Sequence, residues 1–176
     1  IAPLEGVLKY SEGLYYFDMM TPFHLVKDNL LYVTYMVDHS VYVYDINTGK
    51  LLVEKDISPE DAGVMVSPIE TEIASYENLS DLRRRAALYG PLYYHEECNL
   101  FSRIYKYSLE QRKGSGNHME VCIYDEDFHI VGSEIIKTGY IDFIFPTQDG
   151  FVAVAKNNTD ADSVKFIRYK IKSQIK

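Results

Sequence analysis

Residues 29 to 57, NLLYVTYMVDHSVYVYDINTGKLLVEKDI, decide the fold because they contain three β-strands joined by two turn-length links. Apolar or aromatic side chains occupy almost every strand position, so both faces of the sheet need cover. The links at 37–40 and 47–50 are too short for the crossover that parallel strands require. Their Asp, Asn and Gly residues favour tight turns. The stretch therefore predicts an antiparallel meander that is buried on both faces.

The same texture recurs twice along the chain. Residues 90–136 predict strands near 91–97, 100–109, 118–125 and 129–136, and residues 140–172 predict strands near 140–146, 150–156 and 163–172. Each copy carries a tyrosine near the end of one strand, at Tyr44, Tyr124 and Tyr169. The last two lie 45 positions apart, which is typical of the ~40–50 residue period of propeller blades.

Repeated meanders of this kind predict an all-β fold made of β-propeller blades, each an antiparallel four-stranded meander. Neighbouring blades pack face to face, which covers both sides of every blade without a crossover helix. We assign residues 1–176 to one propeller-like domain or partial propeller, with blades at about 21–58, 89–138 and 139–174.

Two further segments complete the predicted organisation. Residues 6–20 predict a hairpin, the remainder of an earlier blade, and residues 78–88 predict a short helical excursion with Asn78 or Ser80 as N-cap. About three blades and a hairpin fall short of the ~4–8 blades of closed rings. Either the hairpin completes a small ring, or the chain is part of a larger propeller.

Composition narrows the classes of partner. The formal net charge of -8 opposes the basic surface that nucleic-acid binding needs. No apolar run approaches the ~20 residues of a membrane-spanning helix. Cys98 and Cys122 lack metal-site spacing, and we expect two buried free thiols, with a disulfide as the alternative if their strands lie close.

The densest polar cluster on a predicted strand is YYHEEC, residues 93–98. Alternation places Tyr93, His95 and Glu97 on one face, and Tyr94, Glu96 and Cys98 on the other. A metal site would need a third ligand from elsewhere, such as His24, and the pattern favours a hydrogen-bonded polar spot instead. An ion pair from Arg103 on the next strand to Glu96 or Glu97 explains the cluster equally well.

The functional interpretation of this cluster is a ligand site at the propeller centre, where the innermost strands converge. The predicted ligand-binding residues are Tyr94, His95, Glu96, Arg103 and His24. We predict no catalytic residue, no metal and no cofactor, because the sequence contains no G-x-S-x-G motif and the adjacent carboxylates Glu96 and Glu97 point to opposite faces of a strand.

Three classes of function stay open at this point. The leading hypothesis is a non-enzymatic binding module for a protein, peptide or glycan. The second is a carbohydrate-active hydrolase or lyase with a pocket at the propeller centre that uses His95, Glu96 and Arg103. The third is a structural surface protein. The lack of tryptophan weakens sugar stacking as the binding mode.

Three phrases carry a resemblance to a known family: FHLVKDNLLYVTYMVDHSVYVYDINTGKLL, then YGPLYYHEECNLFSRIYKYSL with CIYDEDFHIVGSE, and FIFPTQDGFVAVAKN. Together they resemble exported six-bladed β-propeller proteins of gut Bacteroidetes, a domain-of-unknown-function group often described as lipoproteins. The resemblance implies a periplasmic or cell-surface location and that the chain is the C-terminal half of a longer protein. It brings no catalytic signature. If the propeller is partial, its open strand edges predict self-association.

Overall fold

The computed structural model describes residues 22–60, 62, 81, 85–111, 118–137, 141–155 and 166–172. Within these ranges, eleven strands form three antiparallel sheets, and each sheet follows chain order. The predicted hairpin at 6–20 and the predicted N-cap residues Asn78 and Ser80 lie outside the described residues.

The strands of the three sheets have the following bounds. The first sheet contains β1 Pro22–Lys27, β2 Leu30–Tyr35, β3 Ser40–Asp45 and β4 Leu51–Asp56. The second contains β5 Leu88–His95, β6 Leu100–Lys106, β7 His118–Tyr124 and β8 Ile130–Lys137. The third contains β9 Ile141–Thr147, β10 Gly150–Ala155 and β11 Phe166–Lys170. The prediction of an all-β fold built from blade-like antiparallel meanders is confirmed.

Local chain chemistry explains why the meanders turn where they do. Asp28 and Asn29 form the two-residue link between β1 and β2, and both have positive φ, 50° and 61°. Asp and Asn tolerate this left-handed region, and a pair of such residues matches the right-handed twist of a hairpin. Gly49 supplies the positive φ of the turn between β3 and β4. The Asp38 amide donates to the carbonyl of Tyr35 at 3.3 Å and the Gly49 amide to that of Asp45 at 2.8 Å, so both links that the sequence predicted, at 37–40 and 47–50, are tight turns.

The second sheet packs against a neighbouring sheet on each of its two faces. Tyr32, Val41 and Val43 of the first sheet pack against Leu92 and Phe101 of the second in one apolar cluster. A separate cluster lies on the other side of the second sheet. It joins Val121, Ile136, Phe151 and Ala153, with Tyr93, Ile104 and Tyr169 packed against it.

The first strands of the three sheets are neighbours in space. β1 and β2 both contact β5, and β5 contacts β9. The fourth strand of the first sheet, β4, is mostly exposed along its length. This order, with first strands meeting and fourth strands outside, is the arrangement of blades around an axis.

The repeated tyrosines mark equivalent positions in the three sheets. Tyr44 lies in β3, Tyr124 in β7 and Tyr169 in β11, and each of these is the third strand of its sheet. Tyr44 and Tyr124 are 5% and 1% exposed. The 45-residue spacing seen in the sequence therefore measures the step from the second sheet to the third.

The helix predicted for residues 78–88 ends earlier in the structure than the sequence predicted. Asp81 and Arg85 are helical and form an i,i+4 ion pair with 2.7 Å between Arg85 Nε and Asp81 Oδ2. The chain bends at Ala86, and Leu88 already belongs to β5. Ala86 is buried against the first sheet, in the cluster that contains Val33 and Tyr35, and this packing favours leaving the helix.

Candidate functional site

The five predicted site residues do not converge on one pocket. His95 faces the third sheet, since its ring contacts Phe151 and its Nδ1 lies 2.8 Å from the carbonyl oxygen of Thr147. Tyr94 and Arg103 point to the opposite side, toward the first sheet. The alternation predicted for Tyr94 and His95 is therefore correct, but it separates these two side chains across the second sheet.

The polar residues after His95 lie in a turn. β5 ends at His95, and residues 96–99 form the turn to β6, closed by a left-handed Asn99 with φ of 55°. Glu96 and Glu97 are exposed there, whereas the sequence placed them on opposite faces of a strand. The sequence analysis continued the strand through Glu97 because the residue that permits the turn, Asn99, comes only after the polar residues.

His95 is completely buried, and internal partners hold both of its ring nitrogens. Thr147 provides a carbonyl oxygen to Nδ1, and the hydroxyl of Ser102 lies 2.7 Å from Nε2. A carbonyl only accepts hydrogen bonds, so Nδ1 carries the proton and Nε2 accepts from the Ser102 hydroxyl. Burial lowers the pKa of His95, against a smaller opposing effect of the Thr147 hydrogen bond. The imidazole is thus neutral and ties the second sheet to the third.

A serine hydrogen-bonded to a histidine resembles the nucleophile and base of hydrolytic enzymes. Such a pair must be open to substrate, so its burial decides whether it can act in that way. Ser102 and His95 are both 0% exposed. A substrate carbonyl must approach a nucleophilic oxygen to within about 3–3.5 Å. A closed interior offers no such approach, so this pair fits a structural role.

Arg103 is the largest fully buried side chain among the described residues. Its Nε donates to the carbonyl of Gly90 at 3.0 Å, and its Nη2 donates to the carbonyls of Tyr35 and Asp38 at 2.7 and 2.9 Å. Its guanidinium also stacks 4.6 Å from the ring centre of Tyr89. Burial lowers the pKa of Arg103 to about 10, so the side chain remains a cation at neutral pH.

The ion pair predicted from Arg103 to Glu96 or Glu97 is wrong. The guanidinium binds backbone carbonyls, and both glutamates are exposed in their turn. Sequence proximity suggested the pairing, but the register sets Arg103 opposite Leu92 and away from the 96–99 turn.

Asp38 is a buried carboxylate next to Arg103, and the sequence analysis did not single it out. It is 0% exposed, and it sits in the link between β2 and β3. Its carboxylate accepts a hydrogen bond from the Ser40 amide at 2.9 Å and another from the Tyr42 hydroxyl at 2.6 Å. Its negative charge also stabilises the cationic form of Arg103. Its place in a short turn was its only sequence signal, and that signal indicates a turn residue equally well.

Tyr94 belongs to a polar surface where the first and second sheets meet. We call this surface the seam rim and define it by five residues: Lys27, Asp28, Tyr94, Asn99 and Glu126. The Lys27 ammonium lies 4.7 Å from the Tyr94 ring centre, 2.7 Å from the Asp28 carboxylate and 3.9 Å from that of Glu126. The Tyr94 hydroxyl donates to the side-chain oxygen of Asn99.

The rim combines a fixed base with exposed charges. Beneath it, the Tyr94 and Phe101 rings pack with centroids 5.1 Å apart. At its top, the carboxylate side chains of Asp28 and Glu126 are 76% and 61% exposed. The hydrogen bond to Asp28 raises the pKa of Lys27, and burial opposes it weakly. The rim therefore presents two carboxylates to solvent around a lysine side chain that is only 20% exposed.

His24 lies on the other face of the first sheet from Lys27 of the seam rim. It is exposed on β1 and pairs with Val33, whose side chain belongs to the face of the first sheet that points away from the second. Among the described residues, no group of three or more His, Cys, Asp or Glu side chains has an arrangement that would hold a metal ion. Cys98 and Cys122 are free thiols, the first partly buried and the second buried.

The described part of the chain contains no helix that is long and apolar enough to cross a membrane. No family model matches the sequence, and no curated protein matches it. Among solved structures, the chain is similar to the crystal structure of a member of the DUF4221 family from Bacteroides vulgatus, with 15% sequence identity and a TM-score of 0.63.

That similarity covers 85% of this chain and 46% of the Bacteroides chain. This protein thus spans about half the length of its structural neighbour. At 15% identity the similarity establishes the fold alone. The sequence resemblance to a Bacteroidetes domain-of-unknown-function group agrees with this neighbour at that level.

Proposed function

We propose that this protein is a non-enzymatic binding module that recognises a peptide or protein segment at the seam rim. One observation carries the proposal: the predicted site residues His95 and Arg103 are sealed inside and held by internal partners, while the carboxylates of the seam rim face solvent. The histidine and arginine that could take part in catalysis are therefore buried, and the groups that reach solvent are suited to recognition.

The contacts that the Tyr94 ring already makes favour a peptide over a glycan as the ligand. Sugar binding by aromatic residues uses an open ring face. Here the Lys27 ammonium lies over the Tyr94 ring. Phe101, which is opposite Tyr94 on the neighbouring strand β6, packs against the same ring. A peptide instead matches a surface whose exposed groups are carboxylates, since such surfaces select partners by charge complementarity.

The same proposal includes the larger architecture and the cellular place. We take the three sheets as blades of a six-bladed propeller, supported by the order of first and fourth strands and by a structural neighbour about twice as long. The periplasmic or cell-surface location rests on the sequence resemblance. A carbohydrate-active enzyme is disfavoured because His95 and Ser102 are closed to solvent.

The test is selection from a peptide library displayed on phage, with the purified protein as bait. We expect enriched peptides to bind the wild-type protein with ordinary module affinity, about 1–100 μM, measured by calorimetry. The double variant Lys27→Glu, Tyr94→Ala removes the centre of the rim and is expected to weaken binding at least tenfold. Lys50→Glu, an exposed charge in the turn after β3, is the matched control and is expected to bind normally.

Two results would overturn the proposal. One is a selection that enriches no peptide above the level of the double variant. The other is release of reducing sugar from a polysaccharide panel that disappears in His95→Ala, which would establish the enzyme in its place.

A further inference from the structure

Two buried polar atoms at the junction of the first and second sheets stand out by their chemistry. Within the residues that the structure describes, Oγ1 of Thr34 and Nη1 of Arg103 are the buried side-chain atoms without a hydrogen-bond partner in the protein. Both residues are 1% exposed, so bulk solvent does not satisfy either group. The large majority of buried polar atoms in proteins have a partner, because leaving one unpaired destabilises the fold.

The Thr34 side chain points from the first sheet toward the second. Side chains alternate along β2, and Tyr32, two positions before Thr34, packs on Phe101 of the second sheet with ring centroids 5.2 Å apart. Val33 and Tyr35, on either side of Thr34, belong to the apolar cluster on the opposite face of the first sheet. The Thr34 hydroxyl is therefore directed into the junction of the two sheets.

Arg103 enters the same junction from the second sheet. Its Nη2 donates to the carbonyl of Tyr35 at 2.7 Å and to that of Asp38 at 2.9 Å. Nη1 is attached to the same guanidinium carbon as Nη2, so it lies beside the group that binds Tyr35. Thr34 is the residue that directly precedes Tyr35 in β2. The two unpaired atoms thus come from facing sheets and meet around one residue of β2.

The two atoms need a third group that can bond both of them. Nη1 of a guanidinium only donates, whereas a threonine hydroxyl both donates and accepts. A water molecule both donates and accepts, so it complements this pair. A small anion could accept from both atoms, but the charge of the buried Asp38 carboxylate already stabilises the cationic form of Arg103. An anion here would meet a second negative charge in a buried place, which is unfavourable.

We propose that one internal water molecule bridges Nη1 of Arg103 and Oγ1 of Thr34 and so links the first two sheets. The water accepts a hydrogen bond from Nη1 and donates one to the Thr34 hydroxyl oxygen. Buried waters typically make about 2–4 hydrogen bonds to polar groups that lack protein partners, and globular proteins contain roughly one per 27 residues. The guanidinium is then held on every nitrogen, by three carbonyls of the chain and by this water.

The variant Thr34→Val tests the bridge through the sign of its effect on stability. Valine keeps the branched shape of threonine and removes the hydroxyl. With a bridging water, the substitution breaks the bridge and leaves Nη1 short of a partner, and we expect the equilibrium constant of unfolding to rise about 5–30-fold. Urea unfolding of the full chain measures this change. An unchanged or smaller constant would show that the hydroxyl has no partner to lose, and it overturns the proposal.

Oxygen-17 magnetic relaxation dispersion counts long-lived internal waters and keeps the test independent of stability. We expect the wild-type protein to hold one more such water than Thr34→Val. Thr34→Ser keeps the hydroxyl, serves as the matched control and is expected to keep the wild-type count. Equal counts in the wild-type protein and Thr34→Val overturn the proposal.

A crystal of the wild-type protein grown in bromide separates water from an anion. We expect a peak of electron density between Nη1 of Arg103 and Oγ1 of Thr34 with no anomalous signal. An anomalous peak there would establish an anion in place of water. A direct bond between the two side chains, without density between them, would equally overturn the proposal.

Discussion

Arg103 and Asp38 belong to different sheets, yet Nη2 of Arg103 donates a 2.9 Å hydrogen bond to the backbone carbonyl of Asp38. The second sheet thereby binds the turn between β2 and β3 of the first. The Asp38 carboxylate is buried beside it and accepts from Ser40 and Tyr42. A buried cation and a buried anion are thus each held mainly by other groups, and together they fix how the first two sheets meet.

Replacing Arg103 with alanine is expected to lower the free energy of unfolding by about 3–5 kcal/mol. The substitution leaves a cavity and removes three hydrogen bonds from the interior, those to the carbonyls of Gly90, Tyr35 and Asp38. Arg103→Lys should recover part of the loss, since one ammonium reaches fewer carbonyls than the forked guanidinium. Urea unfolding followed by circular dichroism measures both values.

Arg85→Ala is the matched control for this prediction. Arg85 is 63% exposed and pairs with Asp81 on a helix surface. Exposed pairs of this kind contribute about 0.3–0.5 kcal/mol. Equal losses at positions 85 and 103 would contradict the role assigned to the buried guanidinium.

His95 is expected to make the protein less stable as pH falls below about 6.5. Burial lowers the pKa of His95 in the folded state below its ordinary value of 6.5. Between these two values the unfolded chain binds a proton that the folded chain excludes, so stability declines. The contribution is complete above pH 6.5 and is lost as pH falls toward the lowered pKa. Thermal melts between pH 7.5 and 5 measure this slope.

The variant His95→Gln separates this effect from other titrations. Its amide group donates to Thr147 and accepts from Ser102 without a titrating proton. We expect it to be less stable at pH 7.5 by about 1–2 kcal/mol and to show a shallower slope between pH 6.5 and 5. Asp125 and Asp149 do not contribute to the slope in this pH range, since local donors lower the pKa of both carboxyls further below 3.8. An unchanged slope in the variant would show that His95 is not the titrating group.

Periodicity made the sheets readable from the sequence. The doubly apolar pattern around Val41 and Tyr42 reflects burial on both faces, since one side chain packs toward the second sheet and the other away from it. The tyrosine spacing likewise reflects one blade step. Both signals depend on side chains that alternate along a strand, a local property that the chain carries with it.

The site was not readable in the same way. The carbonyl partners of Arg103 in the first sheet lie 65 and 68 residues away, and a backbone carbonyl has no sequence identity. Nearby glutamates therefore looked like its partners. Lys27 and Tyr94 of the seam rim are likewise joined only by sheet packing. Long-range register decides such contacts, and one sequence does not contain it.

Tyr124→Phe is expected to lower the free energy of unfolding by about 1–2 kcal/mol. The Tyr124 hydroxyl donates a buried 2.7 Å hydrogen bond to the carbonyl of Ile57, which follows β4 in the first sheet. Its loss leaves a buried carbonyl without this donor, and burial makes that costly. In Tyr94→Phe, water replaces the exposed partner, and we expect a loss of a few tenths of a kcal/mol. Equal effects would mean that the Tyr124 bond does not join the sheets.

Gly150→Ala is expected to destabilise the third sheet by at least about 2–4 kcal/mol. Gly150 opens β10 with a φ of 155°, and a Cβ placed there would overlap the carbonyl oxygen of Tyr169 and press on Lys170. Both neighbours are backbone of β11, so relief requires the two strands to separate. Gly132→Ala in β8 is the control, because a Cβ at Gly132 meets nothing within 4 Å. It should change stability by under about 1 kcal/mol. Hydrogen exchange of the β10 and β11 amides measures the effect locally, and comparable protection in the two variants would contradict the close approach of β11 to Gly150.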